Sequence, residues 1–188
     1  MKSNIISKSR ALMQRQTQKN GAPAWGLTEL AAVMGKKLAR QYHANGHLVV
    51  AALYLAHVVF HTKRHSYEME NHPRLSAALA DRYLRKWKVA DNERIIIVDA
   101  IRTHHDRAKP HSRVSEIMRN AEGYKFLTIE GCFIFLHALG SRGISWEKSV
   151  EYCIEKMNQK YALLTLPACK QETKKNMAGL VQIYRKII

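Results

Sequence analysis

Cysteine is scarce in this sequence, and the three present, Cys132, Cys153 and Cys169, stand far apart with no Cys-x-x-Cys pair. That argues against a disulfide framework and for buried free thiols in a reducing, cytoplasmic compartment. Nine glycines and four prolines in 188 residues are too few for a fibrous or loop-rich chain. Long apolar runs are missing too. The longest nearly uninterrupted one, Leu48 to Phe60, contains His57 and is too short to span a bilayer. The N-terminus has no apolar secretory core.

Acid is the other shortage: 15 Asp and Glu face 31 Lys and Arg, a formal net charge of +16. Such a balance attracts nucleic acid or an anionic membrane surface, unless it is only a solvated basic face. Residues 1–22 hold Lys2, Lys8, Arg10, Arg15 and Lys19 without an acid. They read as a flexible basic N-terminal arm or solvated tail, with an organelle-targeting segment as the alternative.

What is present is helical periodicity. A hydrophobic content of 46% excludes general disorder, and the length fits one domain, residues 23–188, able to bury a core. Leu27 to Tyr42 places Leu27, Leu30, Ala31, Met34, Leu38 and Ala39 on one face. His47 to about His61 is apolar on most sides and is expected to be a central buried helix. Pro73 suits a first helical turn, while Asp91, Ser112 and Ser145 suit N-caps. Pro167 precedes a last helix over roughly Gln171 to Ile187. The expected architecture is all-α, a single compact bundle of about seven helices.

Ten histidines are spread unevenly. His57, His61 and His65 follow i, i+4, i+8, and so share a face if the helix continues. His72 opens the next helix; His104 and His105 close another. A single histidine at a helix end ordinarily caps the carbonyl terminus. Several converging in one bundle are, with carboxylates, ordinary ligands of Zn, Mn, Fe or Ni.

Four segments extend this pattern. Leu53-Tyr54-Leu55-Ala56-His57-Val58 is an apolar helix ending in histidine, and His72-Pro73-Arg74-Leu75-Ser76-Ala77 is a His-x-x-x-Ser-Ala helix start. Ala100-Ile101-Arg102-Thr103-His104-His105 ends a helix in a histidine pair, and Ile117-Met118-Arg119-Asn120-Ala121-Glu122 ends one in an acid. In this order they resemble the HD-domain superfamily of metal-dependent phosphohydrolases, over about Gly26 to Ile188. The resemblance implies an HD-type bundle with His57, His72, His104 and Glu122 as metal ligands. It implies His105 as a further ligand or as the proton donor to a leaving oxygen. Arg102, Arg107, Lys109 and Arg113 flank the same loop and could hold phosphate oxygens or be merely solvated.

Two departures reduce the ligand set. Val58 stands where the family has the Asp of its His-Asp pair, and Trp25, Gly26 and Thr28 occupy the neighbourhood of its first histidine. His43 and His47 are left as replacements to consider. The expectation is one divalent transition metal (Mn, Fe, Ni or Zn) or none, and no bridged two-metal site. Two functions follow. One is a phosphohydrolase acting on a nucleotide or other phosphate ester. The other is an inactive HD-fold module that binds nucleic acid or another polyanion through the arm and the tail around Lys170, Lys174, Lys175, Arg185 and Lys186. A partner interface using Trp87, Trp146 or Tyr184 ranks behind both.

Overall fold

Apolar residues at three- and four-residue spacing become helix after helix. The computed structural model describes residues 2–60, 71–105 and 109–186, which contain nine α-helices and no strand. They are α1 (Lys2–Asn20), α2 (Trp25–Gln41), α3 (Gly46–Leu55), α4 (His72–Lys86), α5 (Asp91–Arg102), α6 (Arg113–Tyr124), α7 (Ile129–Gly140), α8 (Trp146–Leu163) and α9 (Pro167–Lys186). None is long and apolar enough to cross a membrane.

The apolar run beginning at Leu48 forms the centre, as its composition requires. Every residue from Leu48 to Ala56 is buried, and α3 is packed by α1, α2, α4, α5 and α6. The Asn45 side chain starts the helix by accepting from the His47 and Leu48 amides. A second group, α7, α8 and α9, packs in sequence and joins the first through α2 and α6. Asn120, wholly buried in α6, pins that junction. Its amide donates to the Glu116 carbonyl at 2.8 Å and to Thr165 Oγ1 at 2.9 Å, and its oxygen accepts from the Thr165 and Leu166 amides at 3.0 Å. No polar atom of that side chain is left without a partner.

The expected N-terminal arm is corrected here. Residues 2–20 are a helix of the bundle, with Ser9, Leu12 and Met13 buried and Ile5 and Ile6 packed against the core. Burial of a Leu or Met side chain contributes about 1.5–3 kcal/mol, enough to hold a helix that its charge pattern made look like a tail. Arg10 also donates to Glu29 of α2 at 3.1 Å, and the same carboxylate accepts from the Tyr54 hydroxyl of α3 at 3.0 Å. Caps differ in detail. Ser112 and Ser145 accept from the Ser115 and Lys148 amides as expected, whereas Asp91 is a first-turn residue with Ala90 at the cap, and its carboxylate accepts from Arg94. The last helix begins at Pro167, whose fixed φ suits a first helical position.

All three cysteines are free and buried. Burial pushes their thiols up, Cys132 to about 12 and Cys153 and Cys169 to about 11. Because the thiolate is the nucleophile, a disulfide reagent at pH 8 is expected to titrate fewer than one thiol per native chain and three after denaturation. Rapid native reaction of even one would contradict the packing.

Candidate metal centre

The histidines meet because helix ends meet. His57 lies just past α3, His72 is the first residue of α4, and His104 and His105 follow the last residues of α5. Glu122 is in the last turn of α6, and Lys125 closes that helix. The rings of His57 and His72 lie 5.0 Å apart, those of His57 and His104 5.0 Å, and those of His72 and His104 5.2 Å. One nitrogen of each falls within 4.8 Å of the other two. His105 stands beside them, 5.2 Å from His72.

Hydrogen bonds assign the protons. His104 Nδ1 is 2.6 Å from the Ile101 carbonyl oxygen, which can only accept, so Nδ1 carries the hydrogen and Nε2 is bare. The capping role of a helix-end histidine therefore also fixes its tautomer for metal binding. His104 Nε2 faces His72 Nε2 at 3.3 Å. Two zinc–nitrogen bonds of about 2.0–2.1 Å at a tetrahedral angle set their nitrogens about 3.3–3.4 Å apart, so this pair already has the spacing of two ligands. His57 Nε2 donates to Glu122 Oε2 at 3.1 Å, which leaves Nδ1 bare, buried and without a hydrogen-bond partner among the described residues. The donor set fits one transition ion.

Charge around the cluster is settled by burial and by one cation. Burial lowers the His57 pKa against the opposing pull of Glu122, and burial together with His57 holds His104 well below the ordinary histidine range. Both imidazoles are therefore neutral, the form that binds metal. For Glu122, burial alone would raise the carboxyl; Lys125 and then His57 outweigh it and hold the group well below the usual carboxylate range. Lys125 Nζ lies 2.7 Å from Oε2 and 2.9 Å from Oε1, with both side chains 2% exposed.

Above the cluster opens a cavity of about 270 Å³, walled by Leu27, Phe60, His57, His72, His105 and Glu122. Four cations reach it, Lys125, Arg142, Lys156 and Lys160, against the single carboxylate of Glu122. Burial lowers the Arg142 pKa, and no acid among the described residues pairs with its guanidinium.

Of the expected site residues, His57, His72, His104, His105 and Glu122 are brought together. Among the described residues, the group whose ligand atoms converge is His57, His72 and His104; Glu122 sits beside it, bonded to His57 and Lys125. Val58 is core, 1% exposed, and offers no oxygen. Neither exposed His43 nor His47, which lines a separate cavity between α1, α2 and α3, reaches the cluster; Leu27 fills that wall instead. The expected phosphate residues lie elsewhere. Arg102 is two residues before His104, on another face of α5, and lines a different cavity with Asp81 and Asp99. Arg113 begins α6, about 13 Å of helix from Glu122, where it donates to Glu116 at 2.7 Å and covers Tyr42. Lys109 is exposed and outside the cavity wall. Arg107, like His61 and His65, lies outside the described residues. The sequence marks the cavity's own cations only by spacing: Lys156 and Lys160 are i, i+4 on α8 and Lys125 is i+3 from Glu122. Arg142 carries no sequence signal.

No family model matches the chain, and no curated protein matches its sequence. Solved structures do match its shape. Bacillus subtilis YpgQ superposes with a TM-score of 0.75 at 12% identity, over 100% of this chain and 96% of that one. Its complex with ADP gives 0.71 at 12% identity with the same coverage. An HD-superfamily hydrolase from Bacillus thuringiensis gives 0.70 at 17% identity, again over 100% and 96%. The chain therefore has the fold of the HD-superfamily hydrolases, with valine in place of the aspartate in the His-Asp pair.

Proposed function

We propose that the protein is a single-metal phosphohydrolase whose substrate is a phosphate ester, a nucleotide or a molecule of similar charge. The observation that carries this reading is the convergence of three imidazoles beneath a cavity walled by four cations and one carboxylate. His57, His72 and His104 would hold the ion. A divalent transition ion supplies Lewis-acid polarisation of a phosphoryl oxygen and lowers the pKa of a water.

The chain's own groups do the rest. Arg142, with Lys156 and Lys160 on the same cavity wall, binds the phosphoryl oxygens. His105 lines the same cavity beside His72 and passes a proton to the leaving oxygen. Phe60, packed edge-on against His57 and His72, keeps water from that side. The ADP complex of YpgQ, a protein of the same shape, supports a phosphate-bearing small molecule as the ligand.

The test is metal analysis of untagged protein, followed by phosphatase and phosphodiesterase assays with Zn, Mn, Ni and Fe. One equivalent of metal is expected, with turnover. His104→Ala, which removes a ligand, is expected to weaken metal binding on the order of 100-fold and to abolish turnover. Neither metal nor turnover in the wild type would overturn the reading and leave a module that only binds polyanions.

A further inference from the structure

We infer that Lys125 is a built-in counter-cation that withdraws Glu122 from the metal's ligand set and so sets the site's preference for zinc-type over manganese- or magnesium-type ions. The inference rests on the three-histidine reading above.

Val58 leaves Glu122 as the one carboxylate in the cavity wall among the described residues. Both of its oxygens are engaged. Oε1 accepts from Lys125, and Oε2 accepts from Lys125 and from His57. At 2% exposure the Lys125 ammonium is held by Glu122 and not by bulk water, and a cation at the C-terminal end of α6 also suits the helix dipole. The Phe126 ring, 5.2 Å from Nζ, covers the ammonium further. An internal positive charge thus answers the carboxylate that would otherwise answer a metal. What remains for an ion is a set of imidazole nitrogens with a cation nearby. Imidazole suits Zn and Ni, whereas Mg, Ca and Mn favour carboxylate oxygens. Lys125 is a specificity-determining residue that acts through Glu122, without touching the ion itself.

Calorimetric titration of the full chain with zinc chloride and with manganese chloride tests this. Wild type is expected to take one zinc and to bind manganese at least about 100-fold more weakly. Lys125→Met frees the carboxylate and is expected to raise manganese affinity more than fivefold; a change of fivefold or less, with zinc still bound, overturns the inference. Glu122→Gln/Lys125→Met covers the case in which Lys125→Met does not fold, because it leaves no buried charge unpaired and glutamine still accepts from His57. It is expected to keep zinc affinity within tenfold of wild type. A larger loss would mean that Glu122 is a ligand, and would overturn the inference while leaving a metal site in place. A wild type that takes up no zinc would instead overturn the three-histidine reading on which the inference stands.

Discussion

Glu122→Ala is expected to destabilise the metal-free protein by about 3–5 kcal/mol, a large part of an ordinary domain's total of about 5–15 kcal/mol. The reason is what the substitution leaves behind. Lys125 Nζ sits 2.7 Å from Glu122 in a pocket where both side chains are 2% exposed, so truncation strands an ammonium away from water. It also removes the acceptor of His57 Nε2, a second buried polar atom without a partner. The pair itself is worth far less than its breaking, because desolvation of two ions offsets most of their attraction. The double variant Glu122→Gln/Lys125→Met is accordingly expected to stay within about 1.5 kcal/mol of wild type. Urea unfolding followed by circular dichroism, extrapolated to water, measures both. A loss below about 1 kcal/mol in Glu122→Ala would mean that Lys125 reaches solvent and that the closed pair is not the ground state.

The pair also shows where sequence reading stops. That His57, His72 and His104 belong together was legible because the segments that carry them follow the order of the HD-domain family. Spacing along the chain left them as separate helix-end histidines, and the resemblance stood in for distance. Lys125, Lys156, Lys160 and Arg142 had no such guide. They lie on three different elements, and only the seating of α8 against α6 and α7 brings them to the same cavity. In a chain with 31 basic residues, nothing local separates these four from solvated lysines. Arg102 and Arg113 attracted attention for the opposite reason: they are near His104 in sequence but face away from it. Charge misled at the N-terminus as well. The helix from Lys2 carries five basic residues and no acid, and its short apolar stripe of Ile5, Ile6, Leu12 and Met13 decides the packing all the same.

Gly131→Ala is the second large effect, expected to cost about 3 kcal/mol or more. The position interrupts an otherwise apolar segment, and the structure shows what the missing side chain makes room for. A β-carbon on Gly131 would overlap the Lys125 carbonyl oxygen, and would come within 2.8 Å of that carbonyl's carbon and 2.9 Å of Thr128 Oγ1. Overpacking ordinarily costs 1–3 kcal/mol when a side chain can turn aside. Here the obstacle is backbone, and it cannot rotate away. Nor can α7 slide off, since Thr128 caps it by accepting from the Gly131 amide at 3.0 Å while donating to that same Lys125 carbonyl at 3.3 Å. Relief must come from moving Lys125, which loosens its hold on Glu122 and through it the orientation of His57. The variant is therefore expected to lose metal affinity along with stability, although residue 131 touches no ligand. Gly179→Ala is the control: it lies in α9 with nothing within 4 Å of the added carbon, and should stabilise the protein by about 0.5–1 kcal/mol through helix propensity. Thermal unfolding of both variants with and without one equivalent of zinc decides the matter. A Gly131→Ala protein as stable as wild type, with an unchanged zinc-induced shift, would show that the α6–α7 corner does not position the site.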